Sequence, residues 1–271
     1  MTNQWTSCTF QSAAGQDQLA FRLLGGTVDH LGAKCDISVA QPTLLCGCSA
    51  PTSLLGRNHT VVEMGANDGL RLSNSYFFSK TLGWNALLVE ANPEVYASIS
   101  KHRPEDLRSN TLVGNPRQFL PYGAATFYSF YRQSGQTKRT GSIDWETGLS
   151  GIADPNGTNP VLSNEVLAKR AAKRYGMSFK THKLNVVRFS TLLQSYGIRH
   201  IDLLFLDVEG AEHSVLSTLN FLKNPVRVIS VERPTPKTQR LLKEHGFHDM
   251  HLTFDSGGDR MFYNGEWFMS R

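Results

Sequence analysis

Four carboxylates stand at the ends of apolar runs in this 271-residue chain. Glu63 falls at the end of Thr60-Val61-Val62, Glu90 after Ala86-Leu87-Leu88-Val89, Asp207 after Ile201 to Leu206, and Glu232 after Val226 to Val231. Short apolar runs of this kind read as buried strands. In an open α/β sheet, ligands sit beyond the carboxyl ends of such strands. Clustered carboxylates repel one another and need cations or hydrogen bonds. A cationic ligand, a metal ion or a proton to be accepted would each give the four acids a purpose that stability does not.

The first acid leads into Met64-Gly65-Ala66-Asn67-Asp68-Gly69. Glycines here allow a tight turn and close approach of backbone to a ligand. Glu90 follows Gly69 by 21 positions, about the spacing at which a nucleotide-binding α/β unit sets a carboxylate on a ribose. The loop has neither the G-x-G-x-x-G of dinucleotide sites nor the G-x-x-x-x-G-K-[ST] of phosphate loops. Glu63, Asp68 and Glu90 would repel a pyrophosphate by about 4 kcal/mol per pair at 4 Å and an effective dielectric of 20. S-adenosylmethionine has an adenosine, a cationic sulfonium and no phosphate, so it suits the loop. The competing reading is a plain strand-turn-helix whose acids cap the helix.

Several blocks together resemble the FkbM family of S-adenosylmethionine-dependent methyltransferases. They are Glu63 to Gly69 with Ser73-Asn74, Leu82 to Pro93, and Ile201 to Glu212. Gly15-Gln16-Asp17, Gly148 to Ile152 and Val228 to Glu232 are smaller echoes. The resemblance runs from Ser12 to Asn264 and departs at Ala13 and across Gly114 to Tyr122. It implies a class I methyltransferase fold: an α/β, Rossmann-like, doubly wound seven-stranded sheet with helices on both faces. It implies that Gly65, Ala66, Asn67, Asp68 and Gly69 wrap the methionine part of the cofactor. Glu90 would bind the ribose, with Glu63, Asn74, Ala91 and Asp207 completing the pocket. It also implies methylation of a hydroxyl on a sugar, glycan or other small molecule.

A hydroxyl acceptor needs its proton removed or its pKa lowered, by a base or by a metal. Asp207 is the first candidate, followed by Glu209, Glu212 and His213. Glu212 and His213 stand where a helix begins, so a capping role competes. Asp207 and Glu232 offer hard oxygens suited to Mg²⁺ or another divalent cation. Two other functions compete with this one. A methyltransferase acting on RNA or a nucleotide would fit the net charge of +5 and pI near 9.0, but aromatic-basic interleaving is missing. A cofactor-binding scaffold without catalysis is the other, and the strand-end acids speak against it.

The length suits one α/β domain with a cap. Residues 1–57 read as an N-terminal cap with an irregular stretch from 26 onward, and 58–271 as the catalytic domain, with 132–182 forming a substrate-side loop and helix. Lys169, Arg170, Lys173 and Arg174 in that helix read as a solvated face, or else as a wall for an anionic substrate. No run of 18 apolar residues occurs, which argues against a transmembrane helix. The polar N-terminus has no signal-peptide core, and a cytoplasmic protein is expected. Two N-x-[ST] triplets, at Asn58 and Asn156, leave a secretory origin open. Cys8, Cys35, Cys46 and Cys48 contain no C-x₂-C pair, so free thiols are favoured over zinc or a disulfide.

Overall fold

A computed structural model describes residues 5–12, 15–25, 27–29, 44–119, 123–131, 150–152, 165–253 and 258–266. The element order begins β1 (Trp5–Phe10), α1 (Gln16–Leu23), β2 (Thr27–Asp29), β3 (Leu44–Ser49) and β4 (Thr60–Met64). Next come α2 (Tyr76–Lys80), β5 (Asn85–Val89), α3 (Pro93–His102), β6 (Leu107–Ser109), β7 (Leu112–Val113), β8 (Ala124–Tyr131) and β9 (Gly151–Ile152). Then follow α4 (Glu165–Tyr175), β10 (Ser178–Val187), α5 (Phe189–Ser195), β11 (Ile201–Leu206), α6 (Glu212–Leu216) and β12 (Val226–Val231). The described chain closes with α7 (Pro236–Glu244), β13 (Phe247–Thr253) and β14 (Arg260–Asn264).

The protein is a mixed α/β fold around a seven-stranded sheet in the order β13-β14-β12-β11-β4-β5-β6. The β12-β11-β4-β5-β6 part is parallel; β14 runs antiparallel to β12 and to β13. Strands β4, β11 and β12 are buried along their whole length, as parallel strands covered on both faces must be. Alternation assigns their side chains to two cores. Val62, Met64, Leu204, Leu206, Ile229 and Val231 pack with residues of α5, α6 and α7. Val61, Leu203, Phe205 and Val228 pack with Phe10, Ala20, Phe21, Phe77 and Phe78 of β1, α1 and α2.

Two smaller sheets flank the large one. The first, β1-β3-β2, is antiparallel and includes part of the stretch read from sequence as irregular. A three-stranded sheet in a Gly-, Ser- and Cys-bearing segment lacks strong alternation, so its pairing is a tertiary outcome. The second, β7-β10-β8-β9, forms a wall over the mouth of the sheet. Helix α4 packs Ala168, Ala171 and Ala172 against Tyr128 and Phe130 of that wall, and leaves Lys169, Arg170, Lys173 and Arg174 exposed.

Read locally, Thr111-Leu112-Val113 suggests a third strand, a helix should follow Gly69 directly, and little marks 178–186 as a strand; the fold differs on all three. Leu112-Val113 is not the third strand of the main sheet; it joins β10, and Leu107–Ser109 takes that place beside β5. The helix expected directly after Gly69 starts only at Tyr76, because residues 65 to 75 curl around the cavity. The ten-residue strand β10 pairs along almost all of β8, although its polar, lysine-bearing sequence conceals it. Other boundaries match closely. Asn92 caps α3 by accepting from the Glu94 amide, with Pro93 at the first turn; this is the cap-then-proline pattern. Among the described residues, no helix is long and apolar enough to cross a membrane. Cys35, the sequon at Asn156 and the expected loop over most of 132–164 lie outside the described residues, as do the side chains of Cys8, Cys46 and Cys48.

Candidate active site

The ends of β4, β5, β11 and β12 open into a cavity of about 340 Å³, within the size range of small-ligand sites. Glu63, Gly65, Ala66, Asn67, Asn74, Glu90 and Ala91 line one side; Asp207, Glu209, Glu232 and Asp259 line the other. Gln16, Phe127 and Ser150 to Ile152 complete the wall.

On the first side the backbone is shaped by carboxylates. Gly65 has φ +83°, and an added Cβ would stand 1.7 Å from the Asp207 carbonyl oxygen. Only glycine fits where the β4 and β11 ends cross this closely. The amides of Gly65 and Ala66 both donate to the Val89 carbonyl, at 3.0 and 3.1 Å. Asn67, itself at φ +49°, donates its amide to Glu90 Oε2 at 2.8 Å. The Asn92 amide donates to Glu90 Oε1 at 2.7 Å. With the Ala91 amide also bonded, at least one of the four carboxylate lone pairs remains for a ligand hydroxyl. Burial pushes the Glu90 carboxyl up to about 7, against the pull of these amides.

Glu63 lies within β4 and works as an anchor. It accepts from Ser73 Oγ at 2.7 Å, from the Asn74 amide at 2.6 Å, and from the Ser75 amide and hydroxyl at 3.3 and 2.6 Å. Burial raises its pKa; the Ser75 hydroxyl and Arg103 oppose that rise. Arg103 at the end of α3 is completely buried. Its guanidinium donates to the Gly69 carbonyl at 3.1 Å, to Ser73 and Ser75 Oγ at 3.3 Å each, and to Asp106 at 2.5 Å. The loop 69–75 is thus held from both sides. Asn74 lines the cavity, and its buried Oδ1 has no partner among the described residues. A buried acceptor left this way suits a ligand donor, such as an ammonium group.

Asp68 and Gly69 do not line the cavity. Asp68 Oδ1 accepts from the Leu70 and Arg71 amides at 2.9 and 2.8 Å, which closes the turn. Gly69, at φ +76°, lets Arg103 and Ile99 approach; a Cβ would meet both at 3.2 Å.

The second side is a crowd of like charges. Asp207 follows β11, and its amide donates to the Met64 carbonyl at 3.1 Å. Its carboxyl faces the open cavity yet is ringed by protein. Burial first, and then Glu232, Glu209 and Asp259, raise its pKa well above the ordinary range. Glu209 is pushed up to about 8 by burial and by Glu232, against the pull of Arg233. Oxygens of Asp207, Glu209 and Glu232 lie within 4.8 Å of one another. Arg233 donates from one guanidinium nitrogen to Glu209 at 3.0 Å and to Glu232. Asp259 accepts from the Arg233 amide at 3.3 Å and from Gln16 Nε2 at 2.9 Å. Gln16 is placed by Asp17, a fully buried carboxylate that accepts from the Gln11, Ser12 and Gln18 amides.

Glu212 and His213 are not brought to the cavity. Glu212 accepts from the Gly210 amide at 2.9 Å and from the Val208 amide at 3.3 Å, so it shapes the turn after β11. His213 is partly buried, which lowers its pKa.

The description "Methyltransferase FkbM domain" matches residues 63–261 of the chain, well over half of it. The chain belongs to the FkbM methyltransferase family. No curated protein matches the sequence. The matched FkbM region spans both sides of the cavity and ends within β14.

Sequence reasoning about this methyltransferase missed Arg103, Arg233, Asp259 and the contact role of Gln16. Arg103 and Asp259 meet the site only through folding, from a helix end and a late loop. Arg233 carried a signal, since it directly follows the strand-end acid Glu232. Gln16 carried one as well, being inside the Gly15-Gln16-Asp17 echo.

Proposed function

We propose that this chain transfers a methyl group from S-adenosylmethionine to a hydroxyl of a small molecule, sugar or glycan. The observation that carries this reading is one cavity with two unlike acidic sides. On one, Glu90 has hydroxyl-accepting capacity beside a glycine turn, and Asn74 has a buried acceptor without a partner. On the other, Asp207 is held with a raised proton affinity facing the same space. The strand order, with its antiparallel β14 between β12 and β13, supports reading the sheet as a Rossmann-like class I methyltransferase core. Residues of β1 and α1 pack on that core as a cap, and the β8–β10 wall borders the substrate side.

S-adenosylmethionine supplies an electrophilic methyl on a cationic sulfonium. The protein's part is placement and proton handling. Glu90 accepts from the ribose hydroxyls. The Asn74 side-chain oxygen accepts from the ammonium group. Acidic walls favour the cation over any phosphorylated nucleotide. Asp207 would take the proton of the acceptor hydroxyl, leaving that oxygen free for the methyl group that a bound S-adenosylmethionine would supply. A base whose pKa is lifted toward neutrality is better matched to this work.

Calorimetry with S-adenosylmethionine, NAD and ATP tests the cofactor assignment. Binding of the methyl donor alone is expected, and tight NAD binding without it would overturn the assignment. A panel of hydroxylated acceptors, assayed for release of S-adenosylhomocysteine, tests the reaction. Turnover on RNA with none on small hydroxylated molecules would replace the acceptor class.

A further inference from the structure

We propose that Arg233 is the resident cation of the acceptor side: its guanidinium, paired with Glu209 and Glu232, stands in for a divalent ion that those carboxylates and Asp207 could otherwise hold, so the site works without metal. Three carboxylates with oxygens within 4.8 Å of one another resemble the donor set of a hard cation. A positive charge is already there. Arg233 bonds Glu209 and Glu232 through its guanidinium and Asp259 through its amide, touching three of the four acids that line this side. Its charge is secure: burial alone would lower its pKa, but Glu232 and Glu209 raise it further above its already high value.

Backbone strain marks the same pair. Glu209 has φ +53° and Arg233 φ +40°. Left-handed backbone at bulky residues is strained and persists only where the surroundings impose it. Both residues sit in the turns after adjacent strands, β11 and β12, and their side chains meet between those turns. A guanidinium is planar and never gives up its proton, so it serves as a fixed counterion. It reaches Glu209 and Glu232 and leaves Asp207 facing the cavity. Arg233 is therefore a positioning residue, acting through the carboxylates it holds.

Its consequence for catalysis rests on the methyl-transfer reading, but its binding test does not. Mn²⁺ is titrated into the full chain and followed by its electron paramagnetic resonance signal, for wild type, Arg233→Met and Arg233→Lys. The expected result is that wild type and Arg233→Lys leave Mn²⁺ free, while Arg233→Met binds it at least about tenfold more tightly, because the crowded like charges then lack their cation. Adding Glu232→Gln to Arg233→Met should abolish that binding. Tight Mn²⁺ binding by wild type, or none by folded Arg233→Met, overturns the inference. If Arg233→Met is too unstable to titrate, wild type is compared with Glu232→Gln: both should leave Mn²⁺ free, and binding by wild type that is lost in Glu232→Gln overturns it. Where turnover is found, it should resist chelators in wild type, fall in Arg233→Met, and return with Arg233→Lys. Absence of turnover on every acceptor sinks the methyl-transfer reading and leaves the Mn²⁺ result standing.

Discussion

The two sides of the cavity use the same chemical group in opposite ways. At the ends of β4 and β5, Glu63 and Glu90 are surrounded by donors: backbone amides, serine hydroxyls and, near Glu63, the buried Arg103. There a carboxylate is scaffold, and the loop 65–75 takes its shape from it. At the ends of β11 and β12, oxygens of Asp207, Glu209 and Glu232 lie within a few ångströms of one another, with Asp259 lining the same side and one guanidinium paired to Glu209 and Glu232. There like charges add to burial in raising a carboxylate's proton affinity, whereas at Glu63 and Glu90 the surrounding donors oppose burial. Donors around an acid fix geometry; acids around an acid store readiness to take a proton. On the proposed methyl-transfer reading, the first side places the cofactor and the second handles the proton.

The comparison fails most completely where the two sides touch. Gly65→Ala puts a carbon into the Asp207 carbonyl from a backbone at φ +83°. We predict loss of about 3 kcal/mol or more of stability, because a close approach and a left-handed turn are both violated. Urea unfolding measures it, and a near-normal midpoint would show that the β4 and β11 ends can separate freely.

Glu63→Ala tests the scaffold side. It leaves Ser73, Asn74 and Ser75 donors, and the Arg103 charge, short of a buried partner. A loss of about 3 kcal/mol is predicted, with weaker S-adenosylmethionine binding as the loop loosens. If calorimetry shows unchanged affinity in a destabilised protein, the loop does not shape the cofactor site.

Asp207→Asn tests the proton-handling side and should give the opposite pattern. Turnover should fall by at least about a hundredfold, while cofactor affinity changes little. The folded-state pKa of Asp207 lies above its unfolded value. Its contribution to stability is therefore present at low pH and lost as pH rises through the folded-state value. The asparagine variant should lack that loss and melt no lower than wild type at alkaline pH. Near-normal turnover would move the base to Glu232.

The smallest effect concerns Glu90, whose pKa is raised to about 7 by burial. A carboxylate accepting ribose hydroxyls must be ionised. S-adenosylmethionine affinity should therefore weaken below pH 7, by up to about tenfold per unit, with proton release on binding near pH 6. Glu90→Gln should flatten that profile and weaken binding at pH 8. A flat profile in wild type would place the ribose elsewhere.

How much of this was legible in the sequence depends on the range of the interaction that decides it. The parallel strands β11 and β12 appear at their observed limits because a strand covered on both faces must be apolar throughout. The Gly65 turn, Glu90 just past its strand and the Asn92-Pro93 helix start are local chemistry, readable residue by residue. The family follows from blocks of this kind. Other assignments were beyond any local reading. Asp68 and Asp207 are both acids in turns after strands, yet one closes its own turn and the other faces the cavity. Glu212 looks as available as Glu209 until folding hands it the Gly210 amide. Arg103 and Asp259, from a helix end and a late loop, reach the site only through the sheet's stacking. Sequence by itself determined which strand ends carry charge, because burial dictates the apolar runs that precede them. Tertiary structure decided which of those charges anchor a loop and which crowd together at the cavity, because a carboxylate's setting depends on whether the groups folded around it donate hydrogen bonds or repel it.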